Sequence, residues 1–249
     1  MKASDKSVLI TGGGSGIGLA LAREFLKNGN KVIITGRNLR KLEAAKKAHP
    51  ALHIAQNDIT NVEQIESLVE RTKTEFGGID VLVNNAGVFH TYDVKDESYP
   101  FEKKLQEIDI DFAGPVRMVH YFLPQLKERR EAAIINVSSG LAFIPLTMAP
   151  IYSATKAGIH AWTQAIRLQL EGTNIQVIEL MPPVVDTEMV SDLIDFPKMA
   201  PEKLVEAFWK GYVKNQTEIT PGQSAQLKLM RRLAPGFIFS QINKPAVPA

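Results

Sequence analysis

The sequence TGGGSGIG, residues 11–18, lies between a short apolar run and the beginning of a helical pattern. The run before it, SVLIT (7–11), has the β-branched content of a buried strand, and GIGLALAREFLKNG (16–29) has the period of a helix. In a strand–turn–helix of this kind, backbone N–H groups and the helix N-terminus face an anion, as in folds that bind dinucleotides. The alternative is a flexible loop with no ligand, which the flanking strand and helix make the weaker interpretation.

Each glycine of this stretch has a separate structural role. Gly12 allows the turn, Gly16 allows a close approach of the backbone to a phosphate, and Gly18 lies where the helix must pack on the strand. Ile17 stands where the third glycine of the usual G-x-G-x-x-G would fall, so the match to that pattern is incomplete. We predict that these four residues and Ser15 contact the cofactor.

Strand and helix patterns alternate along the rest of the chain. Further apolar runs at 31–36, 52–56, 79–85, 132–138 and 175–180 indicate strands, with helical patterns at 38–48 and 61–76 between the first of them. Thr60 is a possible N-cap of the second of these helices. Continuous apolar strands that alternate with helices indicate a parallel sheet covered on both faces. The predicted fold class is therefore α/β, a doubly wound parallel sheet of the Rossmann type in three α/β/α layers.

No internal repeat, low-complexity tract or linker divides the 249 residues. We therefore predict one dinucleotide-binding and catalytic domain over residues 1–249. Its last part, residues 217–249, differs in character, with a helical pattern at 223–233 followed by a proline-bounded apolar segment. We expect this C-terminal appendage to cover part of the substrate side or to contact another subunit.

The composition excludes several function classes. Lysine and arginine number 29 against 27 acidic residues, and no basic cluster is longer than an arginine pair, which argues against binding of nucleic acid or an anionic membrane. The absence of cysteine excludes disulfides and thiolate catalysis, and the five histidines lack metal-ligand spacing. No apolar run is long enough for a signal peptide or a membrane span, so we expect a cytoplasmic protein without a metal.

The end of the second strand indicates which dinucleotide is bound. An acidic residue there would bind the ribose 2′-hydroxyl of NAD, but Gly36 and Arg37 stand instead. The guanidinium group suits a 2′-phosphate, which predicts NADP; a solvated surface arginine is the alternative. Two further groups are predicted to contact the cofactor, namely Asp58 and Ile59 near the adenine after the third strand, and Asn85, Ala86 and Gly87 after the fourth.

A tyrosine and a lysine stand four residues apart in PIYSATKAG (150–158), at the beginning of a predicted helix. Tyr152 and Lys156 share one helix face, and the ammonium group favours the phenolate, which lowers the pKa of the tyrosine toward the working range. Tyr152 can then pass a proton to a carbonyl oxygen while a nicotinamide delivers hydride to carbon. Ser138 and Ser139 end the fifth strand, at the sheet edge where such folds place ligands, so a serine hydroxyl can hold the same oxygen.

Together the motifs resemble those of the short-chain dehydrogenase/reductase family. The matching segments are TGGGSGIG, NNAG (84–87), SSG (138–140) and YSATK (152–156), at family spacing over residues 7 to about 190. The resemblance implies a Rossmann-type fold and hydride transfer between a nicotinamide cofactor and a carbonyl or alcohol.

The resemblance also implies roles for individual residues. It gives a catalytic set of Ser139, Tyr152 and Lys156, with Ser139 preferred over Ser138 because thirteen residues separate it from Tyr152. Lys156 would also hydrogen-bond the nicotinamide ribose. Further cofactor contacts are expected at Pro182, Val185 and Thr187, and a homodimer or homotetramer through helices at about 100–128 and 152–171.

The chain departs from the family pattern in two places. The family usually has N-x-x-G in the long helix before the fifth strand, where this chain has DFAG, beginning at Asp111. It usually has Pro-Gly after the sixth strand, where this chain has Pro182 and Pro183. The double proline and a tail that carries Asn243 are similar to a bacterial subset associated with D-alanyl teichoic acid operons. We count Asp111 among the candidate catalytic residues, either attracting Lys156 or, alternatively, turning away to cap the helix.

The predicted function is an NADP-dependent oxidoreductase that interconverts a carbonyl and an alcohol. The alternative is a dinucleotide-binding sensor or scaffold of the same fold with weak catalysis. A serine hydrolase is excluded because no G-x-S-x-G and no oriented His–Asp pair accompany Ser139. The apolar residues at 141–148 and 188–196 predict a substrate with apolar bulk, with plain core as the other interpretation.

Overall fold

In the computed structural model, which describes residues 2–194 and 196–244, seven parallel strands form one sheet. The strands are β1 (Ser7–Thr11), β2 (Lys31–Gly36), β3 (His53–Gln56), β4 (Val81–Asn84), β5 (Ala132–Val137), β6 (Ile175–Leu180) and β7 (Glu218–Ile219). Their order is β3-β2-β1-β4-β5-β6-β7, which reverses between β1 and β4. A crevice forms outside the carboxyl ends of the strands at such a reversal. The predicted fold class is confirmed.

The helices cover both faces of this sheet. They are α1 (Gly16–Lys27), α2 (Leu39–Ala48), α3 (Val62–Phe76), α4 (Phe101–Ile108), α5 (Gly114–Lys127), α6 (Pro150–Gln169), α7 (Pro201–Val213), α8 (Gln223–Leu233) and α9 (Pro235–Ile242). Successive residues of β1 face opposite layers, so Val8 and Ile10 pack in one core with Phe25, while Leu9 packs in the other with Phe122. Burying a side chain of this size stabilises the fold by about 1.5–3 kcal/mol.

The start of α3 differs from the sequence prediction. The N-cap is Asn61, whose side chain accepts a hydrogen bond from the Gln64 N–H at 2.9 Å, and not Thr60. Thr60 does not cap the helix; its N–H and its hydroxyl both donate to the Asp58 carboxylate at 2.9 Å. Asp58 therefore shapes the turn after β3 as well as lying near the predicted adenine site.

The long helix predicted at about 100–128 is interrupted. A π-helical turn, Asp109–Ala113, separates α4 from α5. Pro115 has no N–H, so the regular hydrogen bond to the Asp111 carbonyl cannot form, which favours the wider turn. Gly114 is also needed here, since a Cβ on it would lie 2.5 Å from Ile59 Cδ1. The turn aims the Asp111 side chain into the protein, where 1% of the residue is exposed.

The C-terminal part packs on the carboxyl-end side of the sheet. Helix α8 has the bounds predicted for it, and the proline-bounded segment after it forms α9. Asn243 ties α9 to the loop before α6, because its Oδ1 accepts from the Thr147 N–H at 2.7 Å and its Nδ2 donates to the Pro145 carbonyl at 3.1 Å. Residues 245–249 of the predicted appendage lie outside the described residues.

Within residues 2–194 and 196–244, no helix is both long and apolar enough to cross a membrane. In the same ranges, no group of three or more histidine or acidic side chains is arranged to hold a metal ion.

Candidate active site

A cleft of about 1180 Å³ opens at the carboxyl ends of the central strands. It brings together fourteen of the predicted site residues, namely Gly12, Ser15, Gly16, Ile17, Asn85, Ala86, Gly87, Asp111, Ser139, Tyr152, Lys156, Pro182, Val185 and Thr187. A second pocket of about 200 Å³ shares the glycine turn and contains Arg37, Asp58 and Ile59. Gly18 lies in neither pocket; it is buried beneath the turn.

The glycine turn is packed so closely that side chains would not fit. A Cβ on Gly12, whose φ is +65°, would lie 2.8 Å from Ala86 Cα, and one on Gly18 would lie 2.4 Å from the Gly12 carbonyl oxygen. Asn85 Nδ2 fixes the turn by donating to the Thr11 carbonyl at 3.0 Å. This rigid backbone can approach a ligand directly.

The N-terminus of α1 is open toward the same turn. Ser15 occupies the N-cap position, but its side chain makes no capping hydrogen bond, and the first turn has no acidic residue. The first N–H groups of the helix therefore stay available to an anion, and the helix dipole favours one there. Together with the close glycine packing, this arrangement fits the pyrophosphate of a dinucleotide.

The two serines at the end of β5 have different partners. The Ser139 side chain lies beside the Tyr152 phenol and lowers its pKa, and its hydroxyl accepts from the Leu141 N–H at 3.1 Å. The Ser138 hydroxyl instead donates to the fully buried Glu179 carboxylate at 2.5 Å. Only Ser139 is thus directed at the tyrosine, as the thirteen-residue spacing predicts.

Glu179 also binds the imidazole of His160, which lies on α6. His160 Nδ1 lies 2.9 Å from Glu179 Oε2, and this hydrogen bond raises the pKa of His160 above its usual value despite partial burial. An oriented His–Glu pair therefore exists beside the serines, contrary to expectation. It does not form a hydrolase triad, because Ser138 bonds to the carboxylate and not to the imidazole.

Tyr152 and Lys156 lie against each other at the cleft wall. Lys156 Nζ is 5.2 Å from the centre of the Tyr152 ring. The Phe89 ring packs edge-on against the Tyr152 ring, with 4.9 Å between the ring centres. Burial raises the pKa of Tyr152 above its usual value, Lys156 opposes this rise, and Asp111 adds to it. Lys156 lowers the pKa of Tyr152, as the sequence predicts, but burial and the Asp111 carboxylate raise it by more.

Asp111 does not turn toward solvent. Its Oδ2 lies 3.3 Å from Lys156 Nζ, and its Oδ1 accepts from the Val88 N–H at 2.8 Å. Burial alone would lower the pKa of Lys156, but the Asp111 carboxylate and Tyr152 raise it. The helix-capping alternative for Asp111 is therefore wrong, and its side chain faces the lysine.

Two features of the site were missed by sequence reasoning. Lys41 of α2 forms a 2.6 Å ion pair with Glu188, which lies beyond β6, and both residues line the cleft. Glu107 is fully buried next to Asp111. No local signal marks the first pair, since 147 residues separate its members. The i, i+4 spacing of Glu107 and Asp111 was available, but it resembles an ordinary exposed helix face.

Comparisons with known proteins agree with this geometry. The family model described as short chain dehydrogenase matches residues 6–197. DltE of Bacillus subtilis (strain 168), described as an uncharacterized oxidoreductase, is 38% identical over 248 residues, which cover 98% of each chain. An uncharacterized oxidoreductase of Staphylococcus aureus (strain MW2) is 32% identical over 208 residues, covering 82% of this chain and 89% of the relative.

Solved structures show the same fold. A short chain dehydrogenase from Burkholderia cenocepacia J2315 in complex with NADP superposes with a TM-score of 0.86 at 27% identity, covering 98% of this chain and 100% of that one. A 3-ketoacyl-(acyl-carrier-protein) reductase from Brucella melitensis complexed with NADH gives a TM-score of 0.80 at 28% identity, covering 87% and 94%. The chain therefore belongs to the short-chain dehydrogenase/reductase family, and within that family to its DltE-like oxidoreductases.

Proposed function

We propose that this oxidoreductase interconverts a carbonyl and an alcohol with NADP as cofactor. The observation that carries the proposal is the convergence of Ser139, Tyr152 and Lys156 on one wall of a cleft whose other end is the glycine turn. When bound, the nicotinamide supplies or accepts the hydride. The protein residues then have to hold the substrate oxygen and move one proton.

The proposed roles follow from the contacts. Ser139 holds the substrate oxygen, since its hydroxyl faces the Tyr152 phenol. Tyr152 donates its proton to that oxygen during reduction and takes it back during oxidation. Lys156 supports the tyrosinate through its positive charge and is itself held by Asp111 and by the Val137 carbonyl, 3.4 Å from Nζ.

NADP preference is proposed from Arg37. In the described part of the chain its guanidinium forms no ion pair, and it lines the pocket that extends the glycine turn toward the adenine side. A charge-assisted hydrogen bond contributes about 1.5–3 kcal/mol. We therefore expect Arg37→Ala to remove about tenfold or more of the preference for NADPH over NADH, measured as a ratio of dissociation constants.

The matched control for this prediction is Arg40→Ala, which removes a nearby exposed arginine that does not line the pocket. We expect it to leave the ratio unchanged. Equal affinities of the parent protein for NADPH and NADH would rule out the role of Arg37.

Asp111→Asn is predicted to move the pH profile for alcohol oxidation to lower pH. The carboxylate partly cancels the field of Lys156 at the tyrosine, so Tyr152 ionises less readily in the parent. The amide keeps an acceptor for the Val88 N–H but has no charge. Oxidation rates near neutral pH should therefore rise, as measured by the pH dependence of kcat/KM.

The control for Asp111 is Asp93→Asn, an exposed position in the loop after β4. We expect its profile to match the parent. If the profiles of Asp111→Asn and the parent superimpose, Asp111 has no electrostatic effect on the tyrosine.

We propose a substrate with apolar bulk. The outer cleft wall is formed by apolar side chains of the loop before α6, the segment after β6, and helices α8 and α9; examples are Leu146, Met148, Leu193, Leu227 and Ile238. Met148 is 40% exposed, which argues against plain core as its role. Because α8 and α9 complete this wall, we also propose that residues 1–249 act as one catalytic unit.

The function is tested by incubating the protein with NADPH and a panel of short and long aldehydes, ketones and quinones. We expect oxidation of NADPH with at least one compound, and lower KM values for the more apolar members of the panel. A sensor or scaffold is the second candidate, favoured by the ion pair between Asp111 and Lys156. It predicts cofactor binding with no turnover of any compound.

A homodimer or homotetramer is proposed through the helices at about 100–128 and 152–171. Large apolar side chains are exposed there, namely Phe101, Leu105 and Ile108 of α4 and Leu168 of α6.

A further inference from the structure

A buried acidic pair lies near Lys156. Glu107 precedes the last residue of α4, and Asp111 lies in the π-helical turn; their exposed fractions are 0% and 1%. Two neighbouring buried carboxyl groups are costly to the fold unless they are paired or one holds a proton. Lys156 pairs with Asp111, and Glu107 forms no ion pair with any residue that the structure describes.

The two carboxyl groups hold the same loop. Asp111 Oδ1 accepts from the Val88 N–H at 2.8 Å, and Glu107 Oε1 accepts from the His90 N–H at 3.0 Å, two residues further along. The second oxygen of Asp111 faces Lys156 Nζ at 3.3 Å. Lys156, beside the tyrosine, therefore contacts Asp111, and Asp111 and Glu107 hold the backbone of one loop at Val88 and His90.

Three polar atoms in this group are buried and form no hydrogen bond among the described residues, namely Glu107 Oε2, His90 Nε2 and Asp111 Oδ2, the last of which makes only its ion-pair contact with Lys156. The other six such atoms of the described chain belong to five residues on different segments, two of the atoms being in Asn57. Buried polar atoms in proteins are almost always hydrogen-bonded, and ordered water serves where no protein group does. Donors and acceptors grouped in this way suit water molecules that pass protons between side chains.

Charge and burial leave Glu107 able to take up and release a proton. Burial raises the pKa of Glu107 to about 7; the His90 N–H opposes this rise, Asp111 adds to it and Lys156 opposes it. Burial likewise raises the pKa of Asp111, against the effect of Lys156 and the Val88 N–H. A group that titrates near the working pH transfers protons in both directions most readily.

The phenols nearest Glu107 keep their protons near neutral pH and so do not exchange them there. Tyr92 and Tyr99 stack on each other at 4.7 Å, and burial, with Glu107, raises the pKa of both phenols. Lys103 and Lys104 lie over these rings, with Lys104 Nζ 4.8 Å from the centre of Tyr92.

We infer that Glu107 exchanges the proton of Tyr152 with solvent, acting through Lys156 and the hydrogen-bonded groups around Asp111, with His90 at the outer end. The inference rests on the proposed function. In reduction, Tyr152 Oη gives one proton to the substrate oxygen, Glu107 restores one through Lys156, and solvent reprotonates Glu107 beside His90. In oxidation the same proton moves outward. One proton moves per turnover, and only O–H and N–H bonds form and break.

A purely structural role is the competing explanation, in which Glu107 only accepts the His90 N–H. Glu107→Gln distinguishes proton transfer from a purely structural role, because the amide keeps the shape and the accepting oxygen but cannot carry the proton. Glu102→Gln is the matched control, since it makes the same charge change at an exposed position of α4.

The first measurement is the free energy of unfolding as a function of pH, which needs no cofactor. The folded-state pKa of Glu107, about 7, lies above its ordinary value of 4.5. The stability from its protonated form is therefore complete below the lower value and is lost as the pH rises through the upper one. We expect the parent and Glu102→Gln to lose stability over this window relative to Glu107→Gln. Parallel curves for parent and Glu107→Gln would overturn the inference.

The second measurement is kcat for reduction as a function of pH, with a substrate from the panel. In the parent we expect kcat to fall as the pH rises through about 7, the value for Glu107. In Glu107→Gln we expect kcat below neutral pH to be about tenfold lower, without that transition and with unchanged KM. Glu102→Gln should behave as the parent.

A second variant tests the role of His90 at the outer end of the proposed proton-transfer route. His90→Gln should lower kcat while the transition near pH 7 remains, because Glu107 is intact. A parent that turns over substrate, with an unchanged kcat profile in Glu107→Gln, overturns this inference alone. A parent that turns over no compound of the panel overturns the proposed function, and this inference with it.

Discussion

Tyr152→Phe is expected to lower kcat by about 10²–10⁴-fold, the usual contribution of a positioned acid or base. The phenyl ring keeps the edge contact with Phe89 at 4.9 Å and the position under Lys156, so the cleft wall stays packed. It loses only the hydroxyl that faces Ser139 and carries the proton. The dissociation constant for NADPH should remain close to that of the parent, as measured by fluorescence titration.

The control for this prediction is Tyr212→Phe. The Tyr212 hydroxyl is buried in α7, has no hydrogen-bond partner among the described residues, and lies outside the cleft. Its removal should leave turnover unchanged. Turnover of Tyr152→Phe within about threefold of the parent would exclude this residue as the acid, since that loss is far below the range for a positioned acid.

Gly18→Ala is expected to weaken NADPH binding by about a hundredfold or more. The added Cβ would lie 2.4 Å from the Gly12 carbonyl oxygen and 2.5 Å from Asn85 Nδ2, so the backbone of the turn has to move. Each charge-assisted hydrogen bond lost from backbone N–H to phosphate costs about 1.5–3 kcal/mol. Overpacking should also destabilise the fold by about 1–3 kcal/mol, visible as a lower Tm.

Gly236→Ala is the matched control, because no atom lies within 4 Å of the position where its Cβ would be. Gly236 lies in α9, where alanine is the better helix former. We expect parent-like affinity and no loss in Tm. A folded Gly18→Ala protein that binds NADPH as tightly as the parent would contradict the role assigned to the glycine turn.

Local pattern was enough to predict the strand–turn–helix at the N-terminus, the parallel sheet and the family. Apolar runs and helical periods depend only on residues that are near one another in the chain. The glycines of 11–18 mark a turn with positive φ and close backbone packing, which only glycine allows. The same holds for α8, whose bounds match the helical pattern at 223–233. The predicted N-cap of α3 was wrong by one residue, because the neighbouring Asn61 is the better cap and Asp58 binds Thr60 instead.

The electrostatic state of the site was decided by the tertiary structure. The spacing to Tyr152 favours Ser139 over Ser138, but the partner of Ser138 is Glu179, which is 41 positions away on the neighbouring strand β6 and was not predicted. Asp111 faces Lys156 because a π-helical turn rotates it inward, which no helical period predicts.

The sequence by itself determined which residues could carry the chemistry, because spacing along a helix or strand is a local property. Only the tertiary structure decided which charges meet and how deeply they are buried. The interaction between two charges depends on their distance and on the water removed around them. For Glu107 and Lys156, which are far apart along the chain, both quantities are set by the packing of α4, α6 and the loop after β4.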